Sequence, residues 1–262
     1  MKPKKCFGQH FLTAPSYAKK IAEAVPAGIH DNILEIGAGT GALSKFLYER
    51  FPSMHCVEYD ADAVHELVQK LGTGRWVLHR GDILKFDFSK AGFPLHVIGN
   101  LPYSIGAIII KKTLLYGDNI LSCTFMLQRE VANRIVAKAG TRQNGFLGIF
   151  CQFFGEPRIL FQVPPGAFFP RPNVDSSVVQ IKVQSSHTHR LPVERWRDFF
   201  IFVDKGFRMR RKILINALGR GGGKSDYSDK LLSLHLNPLS RAEDLDCEQW
   251  IELFKCVRSP LL

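Results

Sequence analysis

The sequence predicts an α/β protein: a mostly parallel sheet covered by helices on both faces, followed by a small all-helical C-terminal part. Two observations carry that expectation. Short apolar runs alternate with amphipathic segments from residue 32 to about residue 183, and beyond that point only helical patterns remain. A chain of 262 residues, 45% of them hydrophobic, is long enough for one large domain with its own core and an appendage.

The runs lie at residues 32–37, 54–59, 76–82, 95–100 and 122–128, each bounded by Gly, Pro or polar residues, as buried strands are. Amphipathic stretches at 42–51, 61–71, 105–115 and 130–138 separate them, the alternation of a parallel sheet with crossover helices. Two further runs, 158–163 and 176–183, flank the proline-rich residues 164–172. Proline removes an amide donor and restricts the residue before it, so this stretch reads as a stiff loop. Residues 184–190 are polar, and a boundary near 186 divides the chain into domains 1–186 and 187–262. Helices are expected in the second at 193–206, 209–218, 228–234 and 242–255, with a flexible glycine-rich stretch at 219–224.

Composition narrows the function. No apolar run approaches the roughly 20 residues of a membrane-spanning helix. The basic N-terminus has no long apolar stretch behind it, so no signal peptide is expected and a cytoplasmic location is. Six scattered cysteines without a Cys-x-x-Cys pair argue for reduced thiols and against a metal centre. A net charge of +11, from 35 Lys and Arg against 24 acids, suits a polyanionic partner such as nucleic acid.

The strongest local signal is Ile33-Leu34-Glu35-Ile36-Gly37-Ala38-Gly39-Thr40-Gly41, an apolar strand ending in a Gly-x-Gly-x-Gly turn. Glycines here permit tight geometry and close approach of a ligand; Gly37 and Gly39 are the candidate contacts. A dinucleotide site shows Gly-x-Gly-x-x-Gly, whereas this spacing suits a cofactor without a pyrophosphate, such as S-adenosylmethionine. A plain strand-to-helix turn is the bland alternative. Glu58 ends the next strand, where a carboxylate can accept both ribose hydroxyls, and Asp82 ends the third, placed to accept from an adenine amine. Strand ends in such a sheet share one crevice, so three in succession outweigh a reading as isolated turn residues. Asp60 and Asp62 read as caps of the following helix.

The fourth run ends in Asn100-Leu101-Pro102-Tyr103. An adenine N6 is a poor nucleophile because its lone pair is delocalised into the ring. Accepting its two N–H bonds, at the Asn100 side-chain oxygen and the Leu101 carbonyl, would localise and aim that pair. Pro102 would stiffen the turn, and Tyr103 offers a stacking face worth roughly 1–3 kcal/mol. Phe168 is a candidate second stacking ring, against core packing as its alternative and Phe169 as its rival. Residues 205–224 hold seven cations (Lys205, Arg208, Arg210, Arg211, Lys212, Arg220, Lys224) and no acids, a single-sign pattern that suits contact with phosphates better than a solvated helix face. Arg129, Arg134, Lys138 and Arg142 form a second, weaker stripe.

Taken together, these residues resemble the ribosomal RNA small-subunit adenine N6,N6-dimethyltransferase family over nearly the whole chain. The likeness includes Phe7-Gly8-Gln9-His10-Phe11-Leu12, Met126-Leu127-Gln128-Arg129-Glu130-Val131-Ala132, Phe168-x-Pro-x-Pro-x-Val174-Asp175-Ser176 and Arg210-Arg211-Lys212-x-Leu214-x-Asn216-x-Leu218. The resemblance implies a Rossmann-like class I methyltransferase domain with a seven-stranded sheet. It also implies dimethylation of two adjacent adenines near the 3′ end of small-subunit rRNA, with the immature small subunit as partner and S-adenosylmethionine as cofactor. By position it makes His10 and Leu12 cofactor contacts, His10 through side chain or backbone, beside Gly37, Glu58, Asp82 and Asn100. From the single-sign basic run, Lys205, Arg208, Arg210, Arg211 and Lys212 are the expected RNA contacts. Nothing in the sequence demands more than a monomer.

Three rivals remain. The macrolide-resistance branch methylates one large-subunit adenine with the same core. DNA adenine methyltransferases usually carry Pro where Leu101 stands. A non-catalytic assembly or nucleic-acid-binding relative would not need an intact Asn100–Tyr103 turn.

Overall fold

Two compact units make up the chain: residues 1–132 with 156–184, and residues 133–155 with 185–262. The structure, a computed structural model, describes residues 9–72, 74–184, 191–219 and 224–257. One division falls beside the composition break near 186. Residues 133–155, however, group with the second unit, which no change in composition announces. Among the described residues no helix is long and apolar enough to cross a membrane.

The first unit runs β1 (Phe11–Leu12), α1 (Pro15–Glu23), β2 (Asn32–Ile36), α2 (Ser44–Arg50), β3 (His55–Glu58), α3 (Ala61–Leu71), β4 (Val77–Arg80), β5 (Leu95–Asn100), α4 (Gly106–Leu114), β6 (Ile120–Gln128), α5 (Arg129–Ile135), β7 (Gly155–Val163), β8 (Phe168–Phe169) and β9 (Ser176–Val183). Seven strands form one sheet in the order β4-β3-β2-β5-β6-β9-β7. The pairs among β2 to β6 are parallel, and β9 runs antiparallel to β6. Strand order therefore reverses between β2 and β5, and the carboxyl ends of those two strands open the crevice where ligands of such sheets bind.

Local sequence explains this placement. β5 is buried along its length until Asn100, the signature of a strand covered on both faces. A side chain at Gly99 would come within 2.6 Å of the Ile36 carbonyl, so glycine lets β5 lie tight against β2. Asp60 caps α3 by accepting from the Asp62 amide, as its position suggests, and Gly72 at φ 68° ends the helix.

Helix α1 buries Ala18, Ile21 and Ala22 at helical spacing, yet it lies outside the strand–helix alternation because no strand run precedes it. The proline-rich stretch is more than a loop: it holds a 3₁₀ turn at Pro165–Ala167 and then β8, which pairs antiparallel with β1. Phe168 and Phe169 keep their amides between the flanking prolines, so a two-residue ladder fits there.

The second unit contains α6 (Phe146–Phe154), α7 (Trp196–Phe207), α8 (Leu214–Leu218), α9 (Lys224–Ser233) and α10 (Cys247–Cys256). Its core is aromatic, with the Phe153 ring centroid 5.2 Å from Phe199 and 5.7 Å from Trp196, and Phe202 5.8 Å from Trp250. These rings explain why residues 133–155 belong here. α6 is apolar on nearly every side, so it carries no helical period to read. The helix expected from 209 begins only at Leu214, because residues 208–211 form turns and Ile213 bridges to Arg241. The glycine-rich stretch falls largely outside the described residues.

Candidate active site

A cavity of about 380 Å³ sits at the carboxyl ends of β2, β3, β4 and β5. Gly37 and Gly39 form its floor at φ 68° and 55°, in the left-handed region that only glycine enters without strain. The Gly39 amide donates to Glu58 Oε2 at 2.8 Å, while Glu58 Oε1 accepts from the amides of Tyr59 and Asp60, each at 2.8 Å. About four lone-pair sites are available on a carboxylate, and three are used in fixing Glu58 at the rim. Asp82 accepts from the Leu84 amide at 2.8 Å through Oδ1, and it lines the cavity.

The described N-terminal residues close one side. Gln9 donates to Asp60 Oδ2 at 3.0 Å, and His10 Nδ1 lies 2.7 Å from the Pro170 carbonyl, to which it donates. The His10 carbonyl accepts from Asn100 Nδ2 at 3.1 Å. That bond settles the amide orientation: the nitrogen faces His10, and Oδ1 is left as an acceptor. Next to it, the Leu101 amide donates to the Met126 carbonyl at 3.1 Å, and the Pro102 carbonyl accepts from Ile105 and Gly106 as α4 begins. Both ends of the turn are thereby tied. Tyr103 stacks on the His10 ring with centroids 5.3 Å apart, and its hydroxyl meets Ser176 Oγ at 2.9 Å. Burial pushes the Tyr103 phenol above its ordinary value, so it stays neutral.

Gly37, Gly39, Glu58, Asp82, Asn100, Leu101, Pro102, Tyr103 and His10 thus share one cavity. Two expected site residues do not join them. In the β1–β8 ladder, Phe11 faces Phe169 and Leu12 faces Phe168, and successive side chains point to opposite sides. Phe11 therefore lines the cavity, while Leu12 and Phe168 enter the hydrophobic core. Phe168 is 5% exposed and Phe169 62%. As placed, the side chains of Leu12 and Phe168 pack in the core, and neither residue is part of the cavity lining. Tyr59 and Gln9 line it unanticipated. Tyr59 follows Glu58 at a strand end, and that position alone was a signal.

Behind the glycine turn lies a fully buried acid. Glu35 in the middle of β2 is 1% exposed and accepts from Cys56 Sγ at 3.6 Å. Burial, with the Glu58 charge adding, pushes its carboxyl up to about 7.

In the second unit Lys205 is partly exposed, and Arg208, Arg211 and Lys212 are exposed. Arg208 pairs with Asp204 at 2.8 Å. Arg210 is tied down more heavily: one guanidinium nitrogen donates to the carbonyls of Arg142 and Asn144, at 2.7 and 2.9 Å, and Nε lies 3.5 Å from Glu243 Oε2. The expected cluster is therefore not uniform.

A doubly wound sheet whose switch point carries a glycine turn and successive strand-end carboxylates defines a class I methyltransferase fold. The cavity suits the cofactor of that class. Three carboxylates (Glu58, Asp60, Asp82) and apolar walls such as Val57 and Ile83 match a nucleoside bearing a positive charge, and would repel a phosphate.

The chain belongs to the ribosomal RNA adenine dimethylase family, whose model matches residues 1–259. A protein of Aromatoleum aromaticum named ribosomal RNA small subunit methyltransferase A is 35% identical over 250 residues, 95% of this chain and 92% of its own. One of the same name from Alcanivorax borkumensis is 40% identical over 218 residues, covering 82% and 77%. Among solved structures, a dimethyladenosine transferase from Plasmodium falciparum has a TM-score of 0.80 at 23% identity, over 93% of this chain and 96% of that one. The 23S rRNA methyltransferase ErmE follows at 0.73 and 20%, over 95% and 100%. At those identities the two structures speak for the fold alone.

Proposed function

We infer that this chain is an S-adenosylmethionine-dependent methyltransferase that dimethylates N6 of two adjacent adenines near the 3′ end of small-subunit ribosomal RNA. The substrate branch rests on the relatives named small subunit methyltransferase A, at 35–40% identity over most of the chain. The observation that carries the chemistry is the Asn100 amide, whose nitrogen is held by the His10 carbonyl so that its oxygen remains to accept.

The cofactor, when bound, supplies an electrophilic methyl group on a sulfonium. Residues of this chain do the rest. Glu58 and Asp82 would hold the cofactor's ribose and adenine ends, with Gly37 and Gly39 allowing close approach. Asn100 Oδ1 and the Leu101 carbonyl would take the two N6–H bonds of the target adenine and point its lone pair along one line. Tyr103, backed by His10, would stack the extruded base. No strong general base is required, because N6 becomes acidic as the N–C bond forms and its proton can then pass to water. Orientation within a near-attack geometry is the main contribution. Cations of the second unit that form no ion pair among the described residues would hold the RNA backbone. The partner in this reading is the immature small subunit, engaged by a monomer in the cytoplasm.

The test is direct. Incubate the chain with labelled S-adenosylmethionine and immature small subunits, then map modified bases by mass spectrometry. We expect two adjacent dimethyladenines near the 3′ end. Label on large-subunit RNA, or RNA binding without label, would overturn this function.

A further inference from the structure

The cations assigned to RNA fall into two kinds, and the difference lies in residues 138–144. That stretch is anchored by bonds to its backbone and to one buried amide. The Gly140 amide donates to the Glu243 carbonyl at 2.8 Å, and Asn144, 1% exposed, donates to the carbonyls of Glu243 and Leu245 at 2.8 and 3.0 Å. Arg210 supplies the remaining ties, gripping the carbonyls on either side of Gln143 and pairing with Glu243. Its guanidinium is thus occupied by protein acceptors. The side chains that this stretch presents are left outward: Lys138 and Arg142 are exposed, as are Arg211 and Lys212, and among the described residues none of these four forms an ion pair. Not every exposed cation is left so: Arg129 pairs with Asp175 and Arg158 with Glu156, at 2.7 Å each.

We propose that Arg210 is a positioning residue that buckles residues 138–144 in place, so that Lys138 and Arg142 join Arg211 and Lys212 in one RNA-backbone-binding surface of the second unit. This rests on the reading of the chain as an rRNA methyltransferase. It differs from treating the Arg210-Arg211-Lys212 run as three equivalent phosphate ligands. An arginine is needed at 210 because only a planar fork can serve two carbonyls and a carboxylate together; lysine keeps the charge and loses that geometry.

The experiment measures binding of the full chain to a transcribed 3′ fragment of small-subunit rRNA across a potassium chloride series. The variants are Arg142→Ala, Arg210→Lys and their combination. Removing one cation–phosphate pairing should flatten the slope of log K against log salt by roughly 0.7–0.9. We expect Arg142→Ala to flatten the slope by about that amount. Arg210→Lys, with net charge unchanged, should flatten it at least as much, and the combination should be no worse than Arg210→Lys alone. Wild-type slope and affinity in Arg210→Lys, or additive effects in the combination, would overturn the buckle. Arg142→Ala lies on the surface and disturbs no packing, so an unchanged slope there overturns the proposal even if Arg210→Lys folds poorly. A wild-type chain that fails to bind the fragment would instead remove the rRNA reading, and this inference with it.

Discussion

In the proposed mechanism Asn100 carries the chemistry, because its two amide ends are used differently. Nδ2 is bonded to the His10 carbonyl, which orients Oδ1, and Leu101 is fixed through the Met126 carbonyl. Asn100→Ala should lower the rate of methyl transfer by at least ~100-fold, the scale seen when one preorganised polar group is removed from an active site. Cofactor affinity, measured by calorimetry, should change by less than about tenfold. Unchanged turnover would reject the role given to Asn100. Glu35 belongs to the same scale. Its folded-state value of about 7 lies above the ordinary 4.5, so folding favours the neutral acid. The resulting stability is fully present below about 4.5 and is lost as pH rises through about 7, on the order of 3 kcal/mol. Glu35→Gln should therefore become more stable relative to wild type as pH rises from about 5 to 8, as read from melting temperatures. A difference that does not change with pH would contradict this.

At the scale of elements, the β1–β8 ladder decides which side chains meet the cavity. Register pairs Leu12 with Phe168 on the core side and Phe11 with Phe169 on the other. Phe168→Ala should destabilise the fold by about 3–5 kcal/mol in denaturant unfolding, the range for deleting a buried aromatic ring. Little loss of stability, with a large rise in the KM for RNA, would return Phe168 to base stacking. This ladder was not legible in the sequence. Two-residue strands leave no periodicity, and prolines on both sides of Phe168 and Phe169 argue for a loop. The sheet was legible, because β5 is a largely apolar run ending at Asn100 and β9 is rich in β-branched residues (Val178, Val179, Ile181, Val183), and their bounds coincide with those expected from the sequence. Asn100, Glu58, Asp82 and the glycines could be read from their positions at strand ends. The His10–Asn100 bond could not, since it joins residues ninety apart that no local pattern connects.

Across the whole molecule, charge governs the encounter with RNA. A net charge of +11 sets a general attraction to polyanions, while Arg211 and Lys212, exposed and without an ion pair among the described residues, are the proposed local grip. Replacing both with Ala should reduce the salt slope of RNA binding by roughly 1.4–1.8 and leave cofactor affinity unchanged. An unchanged slope would return the pair to a structural role. Composition made the charge visible from the start, but not that Arg210 is tied to carbonyls, because pairing partners at 142, 144 and 243 are remote in sequence.

The most direct measurement is a crystal structure of the chain with a non-reactive cofactor analogue and an adenine-containing RNA. We expect the extruded base against Tyr103, with N6 at about 2.7–3.2 Å from both Asn100 Oδ1 and the Leu101 carbonyl. An adenine bound with N6 turned away from those two oxygens would contradict the mechanism.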